Sequence, residues 1–188
     1  QAKVSFPGDA HYDLAVSGVD CAGNENDGVD VGDSVAPWKF TVDSSGPEAG
    51  SLKVIYEPVF QGVFLENLTF GFYKEPVKVR IEAADDVSGI EYFTYTYAVQ
   101  EGASAVNVGA KDVRIAATPV EGTSTFYAEF EIPVQFRGCV SFVAANRAGI
   151  TASYAEDKVV VVDTIAPGIT VSYDNNNAVN NNYYKADR

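Results

Sequence analysis

Residues able to do chemistry are few in this chain. His11 is the only histidine, and the only two cysteines are Cys21 and Cys139. A nucleophilic triad needs a base beside its Ser or Cys, and a zinc site needs several His or Cys ligands. One imidazole near the start of the chain supplies neither. Cys139 lies in the apolar run Cys139-Val140-Ser141-Phe142-Val143, where a small buried hydrophobe is the default. Gly-rich phosphate loops are missing. The adjacent carboxylates of Asp85-Asp86-Val87-Ser88-Gly89 read as solvated turn formers rather than as an acid–base pair. The stretch from Asn24 to Asp33 is rich in oxygen donors but lacks the ligand spacing of a calcium loop. No catalytic, cofactor-binding or metal-ligating residue is therefore assigned, and a structural Ca²⁺ is the one cofactor left open. The chain reads as non-enzymatic.

The elements that could position a binding surface come in duplicate. Asp20-Cys21-Ala22-Gly23-Asn24 is echoed by Asn146-Arg147-Ala148-Gly149-Ile150, and Val42-Asp43-Ser44-Ser45-Gly46-Pro47 by Val162-Asp163-Thr164-Ile165-Ala166-Pro167. Tyr56-Glu57 returns as Tyr173-Asp174, and Phe72-Tyr73-Lys74 as Tyr183-Tyr184-Lys185. These ordered echoes lie 126, 120, 117 and 111 positions apart, the mark of a tandem repeat with small insertions and deletions. Three units are expected: 1–46 as the end of one repeat, 47–164 as a complete repeat, and 165–188 as the start of the next. Each flank alone would hold half a core. Order there is expected from a larger assembly, or from pairing of Gly168–Tyr173 with the 1–46 segment of another copy.

With 13 Lys and Arg against 26 Asp and Glu, the 188 residues carry a net charge of −13. Such a surface repels phosphate backbones and anionic headgroups, which excludes nucleic acid as a partner. No apolar run approaches the ~20 residues of a spanning helix, so no membrane insertion is expected in this stretch. Cys21 and Cys139 fall in different repeats, so they are expected to stay unpaired.

Within 47–164 the pattern is all-β. Leu52–Tyr56, Val77–Ile81, Ile90–Ala98, Asp112–Ala116, Phe126–Ile132, Gly138–Ala145 and Val159–Val162 are alternating or β-branched runs separated by turn residues. About seven short strands in this length predict an immunoglobulin-like antiparallel sandwich. Alternation predicts that Ile81, Phe93, Phe130, Ile132 and Phe142 face inward, with Tyr92 outward. Asp112–Ala116 is expected at an edge. Asp43 and Asp163 are expected to cap the turns into Pro47 and Pro167.

Asp85-Asp86-Val87-Ser88-Gly89-Ile90, Glu131 to Gly138, Asn146 to Gly149 and Val162 to Pro167 together resemble the bacterial immunoglobulin-like repeats of large Gram-positive surface proteins of the gut-commensal type. The resemblance implies an extracellular location, on the bacterial cell surface or secreted. It also implies adjacent repeats as neighbours and a host protein as ligand. Some proteins of this kind bind host immunoglobulin as superantigens, so immunoglobulin is among the candidates. A purely structural stalk of an adhesin and a carbohydrate-binding module are the alternatives.

The ligand site is expected in the connection from Val59 to Phe72. It is six residues longer than its Asn-rich counterpart in the following repeat, and it is apolar. Phe60, Val63, Phe64 and Leu65 are its candidate contacts, because aromatic and aliphatic anchors dominate protein interfaces. The competing expectation is that this connection folds back and plugs the sandwich. A sugar would instead need an exposed aromatic platform, for which Tyr92 and Tyr127 are the candidates.

Overall fold

The computed structural model describes residues 3–14, 17–26, 39–58, 71–99 and 109–171. Its strands in chain order are β1 (Ala10–Asp13), β2 (Gly18–Val19), β3 (Glu25–Asn26), β4 (Lys39–Val42), β5 (Lys53–Pro58), β6 (Phe72–Tyr73) and β7 (Val77–Ala84). There follow β8 (Ile90–Val99), β9 (Ala110–Ala116), β10 (Thr118–Pro119), β11 (Thr125–Ile132), β12 (Phe136–Asn146), β13 (Thr151–Ala155) and β14 (Val160–Val162). A single 3₁₀ turn at Ala49–Ser51 precedes β5.

Two sheets face each other. One runs β10-β11-β7-β5; the other runs β6-β14-β12-β8-β9, with β13 also on β12. All seven expected runs form strands. β13 and β14 pair with the two halves of β12 at Ser141–Ala145 and Phe136–Gly138, so together they make one interrupted strand. β9 lies at the sheet edge as expected. The pairing is antiparallel except for β6, which lies parallel to β14. That two-residue strand carries too little pattern to be read from sequence.

The inward set follows the period-2 alternation of a strand with one buried face. Ile81, Phe93 and Ile132 are fully buried, Phe142 nearly so, and Phe130 at the margin. Phe130 of one sheet stacks on Tyr95 of the other at a centroid distance of 3.8 Å, and Phe93 meets Phe142 edge-on at 5.8 Å. Alternation breaks at the end of β12, where Ala144, Ala145 and Asn146 are all buried in succession. A register shift between Ala145 and Asn146 turns the last residue out of the pleat.

The short strands before residue 47 repeat the geometry of the sandwich's final strands. Ala10 faces Val42 and His11 faces Thr41, as Phe136 faces Val162 and Arg137 faces Val161. Gly18 faces Asn26, and Ala144 faces Ala152. Each partner differs from its counterpart by the same 126 or 120 positions as the sequence echoes. Phe6, Tyr12 and Phe40 cluster on this fragment, with centroids 4.8–5.5 Å apart, and remain half exposed. From Asp163 to Val171 the chain has no regular secondary structure, and Ile165, Ile169 and Val171 are exposed.

Candidate functional site

The most organised polar cluster among the described residues sits at one pole of the sandwich, where the segment after β4 meets the turns after β7 and β12. Each of these three pieces is shaped by its own sequence. Asp43 closes a turn on itself, its Oδ1 accepting the Ser45 N–H at 3.0 Å and the Ser45 hydroxyl at 2.9 Å. Asp163 does the same with the Ile165 N–H at 2.8 Å, so both aspartates cap their turns as the sequence suggested.

Asp85 organises the second piece. Its Oδ1 accepts the N–H groups of Val87, Ser88 and Gly89 at 3.2, 2.9 and 3.1 Å. Gly89 is obligatory there: its φ is +71°, and a Cβ would meet the Phe126 ring at 2.8 Å. The expectation of two solvated carboxylates holds for Asp86, which is exposed, but not for Asp85, which is 4 % exposed. Three backbone donors and one side-chain donor replace the water that Asp85 gives up.

The third piece is Asn146, fully buried at the tip of β12. Its Oδ1 accepts the Ile150 N–H at 2.8 Å, closing a turn with Gly149 at φ +83°. Asp20 closes the equivalent turn on Asn24, also at 2.8 Å, with Gly23 at φ +86°. The Asn146 Nδ2 donates to Asp43 Oδ2 at 3.1 Å, to the Ser45 carbonyl at 2.9 Å and to Asp85 Oδ2 at 3.1 Å. One amide thus ties together groups 61 and 103 positions away in sequence.

Burial works to raise the Asp43 pKa, but the Ser88 and Ser45 groups outweigh it and hold the carboxyl below its ordinary value. The buried Ser88 hydroxyl finds no well-formed hydrogen bond, so it acts there as a nearby dipole and Ser45 is the firm partner. Beside the joint lies a cleft of about 490 Å³, lined among others by His11, Asp86, Phe126 and Arg147. No group of three or more His, Cys, Asp or Glu is arranged to hold a metal among the described residues.

Of the candidates read from the sequence, Phe60, Val63, Phe64 and Leu65 lie outside the described residues. The ends of their connection are defined. Pro58 closes β5 in one sheet and Gly71 leads into β6 in the other, so the connection passes from sheet to sheet. Phe72 at its end is 58 % exposed.

Tyr92 and Tyr127 are described, and they do not come together. Each points outward from a different sheet, because its neighbours Phe93 and Ala128 point in. The Arg114 guanidinium lies 3.5 Å over the Tyr92 ring, and Arg80 lies 3.8 Å over Tyr127. These two half-buried rings form no common platform. Cys21 and Cys139 are both free thiols.

The Asp43–Asp85–Asn146 joint escaped the sequence reading as a unit. Its one signal was the repetition of Asp20 as Asn146. The chain matches no protein-family model and no curated protein sequence.

Proposed function

We propose that this chain is a stretch of immunoglobulin-like repeats from an extracellular bacterial surface protein, acting without enzymatic chemistry as a stiff spacer that carries binding surfaces. The observation that carries the reading is the position of the two linkers. The entry segment is docked at the Asn146 end of β12. The exit at Asp163 follows Val162, which pairs with Phe136 at the opposite end of the same strand. Eleven residues of β12 separate the poles by about 34 Å at ~3.4 Å per residue. Repeats joined in this way extend end to end instead of folding back. The equal ladder registers on either side of the joint, and the self-capped Asp43 and Asp163 turns, support the same arrangement.

A host protein, immunoglobulin among the candidates, is the second reading. It is favoured by the apolar connection 59–70 and by the exposed Phe72 where that connection ends. Capture from host serum and mucus tests both at once, using the intact chain and a Phe60, Phe64 and Leu65 triple-Ala variant. A pure spacer retains nothing specific. A binding repeat retains one protein that the variant releases.

A further inference from the structure

We propose that Asn146 is the pin of a metal-free joint: its amide fills, between two carboxylates and a carbonyl, the place that a divalent cation would have to occupy if this position carried an acid. Three oxygens converge on Nδ2 within 2.9–3.1 Å, from Asp43, Ser45 and Asp85. Two of them belong to carboxylates, and bringing these together in a buried place costs free energy unless something positive lies between. The amide dipole does this with two N–H groups shared among three acceptors.

The orientation of the amide is fixed from the other side. Oδ1 accepts the Ile150 N–H at 2.8 Å, so turning the amide over would aim an oxygen at three oxygens and an N–H at an N–H. An aspartate in the same place would add a third carboxylate, and hard cations are held by such oxygen sets. Asp20 closes the equivalent turn with the same backbone hydrogen bonds, but it is exposed and its second oxygen takes the Asn24 side chain, so among the described residues no other carboxylate converges on it there.

The joint is tight as well as polar. Asn146 is fully buried and Pro47 is buried, and a Cβ on Gly46 would sit 3.0 Å from Ile150 Cγ2. The pin therefore fixes the direction in which residues 39–46 leave the sandwich. This rests on the spacer reading for its meaning in a longer array, but the joint lies within this chain. Failure of the capture experiment leaves it standing.

The test uses the full chain with EDTA or with millimolar Ca²⁺. It reads the rate of proteolytic cleavage at residues 43–47 and the alignment of the 3–46 segment against the sandwich by residual dipolar couplings. The wild type is expected to give the same rate and alignment in both conditions. Asn146→Asp is expected to be cleaved about tenfold faster in EDTA, the effect of losing roughly one charge-assisted hydrogen bond, and to regain protection in Ca²⁺. Asp43→Ala leaves the sandwich complete and is expected to loosen the joint equally in both conditions. A wild type that tightens on adding Ca²⁺ overturns the proposal, because the amide would then be ligating through oxygen. So does an Asn146→Asp chain that stays tight in EDTA or is not restored by Ca²⁺, and so does an Asp43→Ala chain as protected as the wild type.

Discussion

Glu82 is a buried carboxylate held by two cations. Its side chain is only 9 % exposed on the outer face of β7, gripped by Lys53 at 2.8 Å and by Arg80 at 2.7 Å. Burial works to raise its pKa, but these two cations outweigh it, and the carboxyl is held below its ordinary value of 4.5. A depressed folded pKa gives stability that is present above the unfolded value and is lost as pH falls through the folded one. The denaturation midpoint is therefore expected to fall as pH drops below about 4.5, the ordinary carboxyl value. Asp43, also depressed, adds to the same limb. Glu82→Gln is expected to cost about 2 kcal/mol at neutral pH and to flatten that limb, read by urea unfolding at a series of pH values. An unchanged acid limb in the variant would assign it to other carboxylates. Asp85 makes the converse point about sequence reading. The pair Asp85-Asp86 looks symmetrical on paper, and only a partner 61 positions away, Asn146, marks which carboxylate is buried and which is solvated.

At the scale of the elements, β8 separates core from surface residue by residue. Phe93 is fully buried against Phe142, while its neighbour Tyr92 lies outside under Arg114. Phe93→Ala is expected to lose about 3–5 kcal/mol through transfer and cavity terms. Tyr92→Ala should lose only about 0.5–1 kcal/mol, the worth of an exposed cation–π contact. Paired chemical denaturation curves check this, and equal losses would mean the strand register is reversed. Such strands were legible because a sheet with one buried face forces apolar side chains to every second position. β13 was not, because Thr151-Ala152-Ser153-Tyr154-Ala155 alternates small residues with little hydrophobic contrast. β6 escaped for another reason: a parallel partner is chosen by the long crossover between the sheets, and two residues carry no period. The joint is a meeting of three turns, each recognisable alone, whose encounter no local pattern records. The connection holding Phe60 to Leu65 is longer and more apolar than the Asn-rich stretch 174–182, which the sequence states directly; which way it faces lies outside the described residues.

For the whole molecule the decisive quantity is how the poles add up. An entry linker pinned at Asn146 and an exit linker capped at Asp163 lie at opposite ends of β12, about 34 Å apart by strand rise alone. If the joint is stiff, the maximum dimension in small-angle scattering must grow by at least that much for each added 47–164 repeat. A freely jointed chain of repeats would instead grow roughly with the square root of their number. On the spacer reading the charge favours the extended form, because a net −13 per 188 residues would make adjacent repeats repel. Repulsion alone fades as salt shortens the screening length to about 8 Å at physiological strength, whereas a buried amide between carboxylates is largely shielded from ions. The expected outcome is a linear increment of length per repeat that persists from low to high salt in the wild type. In an Asn146→Ala array the increment should shrink at high salt, where the pin is gone and repulsion is screened. A wild-type array that contracts with salt as much as the variant would mean that charge, not the joint, holds the repeats apart.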